Sequence, residues 1–207
     1  MSNTTRERIV DEAMRLFSER GYAGTSIAKI EAAAGLSPGA GGLYHHFESK
    51  EAVLVAGVER HLGRLQALRD IRRVLTPVGD LKAELTLTAR YILIELDSEA
   101  ELLRILAAES GNRTKVLTEA VDKLVNATIE GFASWVGERA EREMSGEEAK
   151  SIAAVGLGSL LGSRLLQNVL GIPSPVDDEA IVGTWVGLML GALEGRVVVS
   201  GGSSDGR

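Results

Sequence analysis

Residues 25 to 47, Thr-Ser-Ile-Ala-Lys-Ile-Glu-Ala-Ala-Ala-Gly-Leu-Ser-Pro-Gly-Ala-Gly-Gly-Leu-Tyr-His-His-Phe, constrain the fold more than any other stretch of the chain. Ile27, Ile30 and Ala34 fall on one helical face behind Thr25 or Ser26 as N-cap, and Gly35 closes that helix. Ser37 can cap a following helix with Pro38 at its first position, where a missing N–H costs nothing. Ala32, Ala33 and Ala34 allow close approach, and Leu36, Leu43 and Phe47 can anchor the second helix to the one before. This is the layout of a helix-turn-helix, whose second helix enters the DNA major groove while the first crosses the backbone. Ser37, Tyr44, His45, His46 and Lys50 are then the expected donors to phosphates or base edges, with Thr25 beside a further phosphate. Gly41 and Gly42 let backbone N–H groups approach the DNA closely. At least one histidine must be exposed, because successive helix positions point about 100° apart.

Helical periodicity extends through the chain. Thr4 and Glu7 have capping-box spacing ahead of Ile9, Ala13, Leu16 and Phe17, and Gly21 ends that helix. A helix from Ser49, striped by Leu54, Val58, Leu62 and Leu65, is expected to end before Pro77. Further helices are expected near 79–97, 100–110, 113–143, 147–170 and 177–199. Aromatics make up only 4% of residues, and period-two runs of β-branched residues are missing, so the fold class is all-α. The expected organisation is a DNA-binding head over 1–48, a linking helix over 49–76, a helical domain over 77–200 and a tail over 201–207.

Charge is uneven: 11 Lys/Arg against 9 Asp/Glu in residues 1–75, but 12 against 20 in residues 76–207. That asymmetry suits a nucleic-acid head on an acidic body. There is no Cys, and His45, His46 and His61 have no metal-ligand spacing, so neither a metal nor a cofactor is expected. The longest uncharged helical stretch, Ala180–Leu193, has 14 residues, short of the roughly 20 that span a bilayer. With no signal-peptide pattern at the start, a cytoplasmic protein is expected.

The head resembles the TetR family of transcriptional repressors. The matching pieces are Thr5-Arg6-Glu7-Arg8-Ile9, Leu16-Phe17-Ser18-Glu19-Arg20-Gly21-Tyr22, Thr25-Ser26-Ile27, Ala33-Ala34-Gly35-Leu36-Ser37, Leu43-Tyr44-His45-His46-Phe47 and Ser49-Lys50-Glu51. The resemblance implies a three-helix DNA-binding domain, a fourth linking helix and a helical domain that dimerises and binds a small inducer. It also implies that Thr25, Tyr44, His45, His46 and Lys50 touch DNA. Eight residues separate Gly35 from Tyr44 here, where the family usually has about six. The surplus lies in Ser37-Pro38-Gly39-Ala40-Gly41-Gly42, and each glycine costs a helix interior about 1 kcal/mol relative to Ala. This turn is therefore expected to be weakly ordered until packed or bound.

In the C-terminal half, Gly183, Gly187, Gly191 and Gly195 recur every four residues, as do Ala154, Gly158 and Gly162. Such rows form smooth helix faces whose cost close packing must offset, and they are the expected homodimer interface. A two-fold dimer implies a palindromic double-stranded operator. An inducer pocket is expected among Tyr91, Glu95, Leu102, Leu106, Phe132, Trp135, Gln167 and Asn168, with Leu103, Glu109, Asn126 and Trp185 nearby. Two other classes compete. A helical enzyme acting on a small apolar molecule lacks convergent acid, base or nucleophile groups, and a bundle that ignores DNA leaves the Tyr-His-His cluster unexplained.

Overall fold

The computed structural model describes residues 4–60, 79–111 and 114–196, and every regular element among them is helical. In order these are α1 (Thr5–Arg20), α2 (Ile27–Ala33), a 3₁₀ turn (Gly42–His45), α3 (50–60), α4 (Leu81–Ser98), α5 (Ala100–Ala108), α6 (Lys115–Arg139), α7 (Gly146–Arg164), a π-helical segment (Leu165–Val169) and α8 (Asp178–Leu193). The all-α expectation holds. Leu62 and Leu65, the expected helix end near Pro77, the boundary at 76 and the tail over 201–207 lie outside the described residues.

Side-chain caps set most helix starts, each satisfying an otherwise orphaned backbone N–H. Thr4 and Glu7 form the expected capping box, Thr4 N donating to Glu7 Oε2 at 2.7 Å while Glu7 N donates to Thr4 Oγ1 at 3.3 Å. Ser26, rather than Thr25, caps α2, and Asp80, Thr114, Ser145 and Asp177 cap α4, α6, α7 and α8. At the end of α2, Leu36 N returns to Glu31 O and Gly35 N to Ala32 O, a turn that needs Gly35 at φ +73°.

Two apolar clusters divide the molecule. The first joins α1 (Ile9, Val10, Ala13, Met14, Leu16, Phe17) to Ile30, Leu43, Phe47, Val53, Leu54 and Val58 of the head, and also takes in Leu102 and Ile105 of α5 and Leu117, Val121 and Leu124 of α6. The head is thus seated on α5 and the first half of α6, and its core does not stop at residue 48. At Gly57 an added Cβ would lie 2.5 Å from Met14 Sδ, so α1 and α3 meet so closely that a side chain there would have to displace Met14. The second cluster packs α4 against α6, α7 and α8 through Leu85, Ala89, Phe132, Trp135, Val136, Ile152, Trp185 and Met189. Phe132 stacks on Trp135 with centroids 5.4 Å apart.

A buried cation joins three helices of this second layer. Arg164, only 2% exposed, donates from Nη1 and Nη2 to Asp178 at 2.9 and 2.7 Å, and its Nε pairs with Asp97 at 2.8 Å. Such planar two-point pairing suits a guanidinium taken out of water. The Asp178 carboxyl is held below the usual carboxylate range by its hydrogen bonds from Arg164. Beyond Arg164 the helix widens into the π segment, with Leu170 N reaching Leu165 O at 3.1 Å.

Candidate nucleic-acid interface

The head is braced from inside by two residues expected to touch DNA. Thr25 is 1% exposed, and its hydroxyl donates to Leu16 O at 3.1 Å and Gly21 O at 3.0 Å. A hydroxyl enclosed by the end of α1 cannot reach a phosphate, so the side-chain contact expected of Thr25 is replaced by an anchoring role. Lys50 is half-buried, and its ammonium donates to Tyr22 O at 2.7 Å and Thr25 O at 2.9 Å while lying 4.1 Å from the Tyr22 ring centroid. Burial pushes Lys50 below the usual lysine value, with Glu109 opposing. In this arrangement Lys50 ties α3 to the α1–α2 turn instead of pointing a free charge outward.

The expected helix from Ser37 is absent. Residues 38–41 form turns, followed by the short 3₁₀ stretch Gly42–His45. Gly39 and Gly41 stand at φ +75° and +78°, left-handed values that break α-helical continuity and that an L side chain rarely adopts. The turn is nonetheless held from within. Glu31 on α2 is fully buried and accepts from Gly39 N at 2.7 Å through Oε2 and from Leu43 N at 3.0 Å through Oε1. The turn, expected to gain order only when packed or bound, finds that packing in a carboxylate inside the head that accepts from its backbone donors. Sequence reasoning missed Glu31 because it sits in an alanine-rich helix where an acidic residue ordinarily faces water.

Above this clamp lies an exposed edge. Ser37, Tyr44 (57% exposed), His45 and His46 face solvent, Gly41 and Gly42 are half-buried, and Leu43 and Phe47 point into the core. Both histidines are therefore free of the interior. Arg6 of α1 places its guanidinium 4.6 Å from the centroid of Phe47, a contact between α1 and the end of the reading turn that no sequence spacing could have revealed. Arg8 reaches from α1 to Ala34 O at 3.4 Å, fixing the end of α2. Hydroxyl, phenol and imidazole donors are thus exposed within ten residues of one another on the head, the chemistry that phosphate and base-edge contacts require.

The residues expected at a dimer interface separate into two kinds. Ala154, Gly158, Gly183 and Gly187 are exposed, Gly162 and Gly191 are half-buried, and an added Cβ at Gly158, Gly162, Gly183 or Gly187 meets nothing within 4 Å. Gly195 is different. It stands at φ +75° just past α8, where Gly195 N returns to Ala192 O and Arg196 N to Gly191 O, so it caps the helix and ends it short of the expected residue 199. The close α7–α8 approach inside one subunit uses Gly156 instead, whose carbonyl accepts from Trp185 Nε1 at 2.8 Å. Val155, Leu166, Leu170, Ile172, Val176 and Leu188, on the same two helices and the segment joining them, are also exposed. An open groove of about 390 Å³ between α7, the 172–176 loop and α8 runs through several of them.

The expected inducer residues are divided between the two clusters. Leu102 and Leu106 pack with the head cluster, whereas Phe132 and Trp135 belong to the second cluster. Tyr91 and Glu95 are half-buried on α4, and Gln167 is exposed. The Asn168 side chain donates to Asp97 at 2.9 Å, while its carbonyl accepts from Arg104 Nε at 2.9 Å. None of the eight lines the α7–α8 groove.

Comparison with known proteins follows the same division. The model of bacterial regulatory proteins of the tetR family matches residues 9–56, the head and the start of α3. UidR of Escherichia coli, an HTH-type transcriptional regulator, is 31% identical over 125 residues, covering 56% of this chain and 62% of that protein. The uncharacterized HTH-type transcriptional regulator MT1294 of Mycobacterium tuberculosis is 30% identical over 142 residues, 63% of this chain and 69% of its own length. The chain spans less than two thirds of the length of several curated relatives it matches, 62% of UidR and 20% of another. Among solved structures, FadR of Bacillus subtilis in complex with stearoyl-CoA has the same fold, with a TM-score of 0.68 at 16% identity over 89% of this chain and 97% of that one. These relatives are named as transcriptional regulators, not enzymes. Among the described residues no helix is long and apolar enough to cross a membrane.

Proposed function

The chain belongs to the TetR family of bacterial regulatory proteins, and from that premise we propose that it is a homodimeric repressor that holds a palindromic DNA operator and is released by a small-molecule inducer. The observation that carries this reading is the exposed edge of Ser37, Tyr44, His45 and His46 on a head locked by Thr25, Lys50 and Glu31. Those internal hydrogen bonds set where donors stand relative to a groove, and a second copy of the head would double the phosphate contacts and their salt dependence.

Dimerisation through α7 and α8 is supported by open glycines and exposed apolar side chains on the same helices, a surface a lone subunit has no reason to keep. The inducer is assigned to the α4–α6–α8 layer. There Thr88 Oγ1 and Glu84 Oε2, one helical turn apart on α4, are buried with no hydrogen-bond partner, while the other Glu84 oxygen accepts from Arg139, and Phe132, Trp135 and Trp185 belong to the same layer. A ligand with an apolar body and a polar tip would satisfy them. Arg104 offers a route to the head, since it donates to Asn168 O in the π segment and, at 3.3 Å, to Ser18 Oγ of α1. An inducer that favours a conformation with the linking helix displaced would move the heads off their half-site spacing.

The test is a selection of genomic fragments at low salt, repeated with pooled metabolites. Recovery of one palindromic sequence, lost on adding a metabolite fraction, is the expected result. Fragments without sequence in common would refute operator recognition.

A further inference from the structure

We propose that Glu31 is the positioning residue for DNA reading. It never touches the duplex, but its carboxylate sets the backbone of the turn that does. The proposal rests on the DNA-binding reading above and adds a residue to it. Glu31 is completely buried in α2, a position where an unneeded carboxylate would be selected against by its desolvation. Its two oxygens instead accept from two backbone donors on opposite sides of Gly41: Gly39 N at 2.7 Å and Leu43 N at 3.0 Å. Neither donor has another partner among the backbone bonds of the turn, which run from Ala40 N to Ser37 O, Tyr44 N to Gly41 O and His46 N to Leu43 O. With Gly39 and Gly41 both left-handed, this stretch cannot close an α-helical ladder of its own, and a side-chain acceptor must replace it.

The consequence is geometric. Pinning Gly39 and Leu43 fixes the path between them, and with it the exposed Ser37–Ala40 tip on one side and Tyr44, His45 and His46 on the other. Freed from the pin, a segment holding Gly39, Gly41 and Gly42 samples many conformations, and the ordering cost falls on the DNA complex. Sequence-specific binding needs the fixed path, whereas attraction to phosphates does not. Glu31 therefore acts on specificity and leaves non-specific affinity alone.

The experiment uses the full-length protein, a duplex recovered by selection with the wild type, and a scrambled duplex of equal length and composition. Glu31→Gln keeps the shape of the side chain but offers one acceptor and a misplaced donor, and Glu31→Ala offers none. Binding of the selected duplex should weaken about tenfold or more for Glu31→Gln and further for Glu31→Ala. Binding of the scrambled duplex and the salt slope should stay within twofold. In the wild type without DNA, the Gly39 and Leu43 amides should exchange slowly with solvent, a measurement that needs no variant, and Glu31→Gln should speed at least one of them while amides of α6–α8 are unaffected. Rapid exchange of both amides in the wild type overturns the pin. Slow exchange with undiminished discrimination by both variants overturns its role in reading. If the wild type itself never prefers one sequence, the DNA reading fails and this role fails with it, while the exchange result still reports on the pin.

Discussion

Adding side chains to the outward glycine row should strengthen each subunit and weaken the pair. Gly158, Gly162, Gly183 and Gly187 lie in α7 and α8 with nothing within 4 Å of an added Cβ. A helical glycine is about 1 kcal/mol worse than alanine, so the four together forgo about 4 kcal/mol that a solitary subunit could have kept. A second copy packed against the row makes sense of that sacrifice, because only bare backbone lets two helices approach closely. With α8 at the proposed two-fold interface, the new side chain in Gly187→Leu should meet its counterpart's helix twice per dimer. Overpacking costs about 1–3 kcal/mol per site, hence about 2–6 kcal/mol per dimer, which raises the dissociation constant roughly 30-fold to 10⁴-fold. Sedimentation equilibrium reads the association, and urea unfolding at a concentration where all forms are monomeric reads the subunit, whose stability should rise by about 1 kcal/mol. Gly156→Val is the control. An added Cβ there would lie 2.9 Å from Met189 Sδ within the same subunit, so it should lower monomer stability. A Gly187→Leu protein that still dimerises with unchanged affinity refutes the assignment of this face.

Other expectations concern single side chains. His45→Ala should relax base preference by about 1–3 kcal/mol at one position of each half-site, measured by binding to single-base operator variants, and unchanged preference would remove His45 from base reading. Lys50→Met deletes two charge-assisted bonds to Tyr22 and Thr25 carbonyls and should destabilise the head by about 1.5–3 kcal/mol in thermal unfolding. Its salt slope for DNA should stay unchanged, whereas a drop of about one would mean a phosphate contact instead. Because Asp178 is held below the usual carboxylate range by Arg164, the stability it contributes is present above that range and declines as pH falls through its lowered value. Asp178→Asn should remove that acid-side limb and lower stability at neutral pH; an identical pH profile in the variant would show the pair to be inconsequential.

Much of this architecture was legible in the sequence because local rules and tertiary packing agree. The Thr4–Glu7 box, the Gly35 turn and the inward Leu43 and Phe47 all stand where periodicity and capping put them. The reading segment did not, because two left-handed glycines override the capping signal of Ser37-Pro38, and the compensating acceptor, Glu31, comes from an element earlier in the chain. Thr25 and Lys50 were read by residue type as donors to DNA, but the same chemistry serves backbone carbonyls, and only burial separates the uses. The glycine rows showed helix faces without showing which way they turned, so Gly156, off the period, was missed as the inner contact. The expected inducer residues fall in two clusters for a similar reason. Apolar stripes name a core, yet α5 gives its stripe to the head and α6 divides its own between both clusters.

What the Ser37–His46 edge touches decides whether the head reads DNA. A photo-cross-linking residue at exposed Ala40, on the tip of the clamped turn, should form adducts with a selected operator duplex at two positions related by its two-fold axis, and a scrambled competitor should not suppress them. Adducts scattered along the duplex and competed equally by any DNA, or no adduct while the protein remains bound, would contradict it.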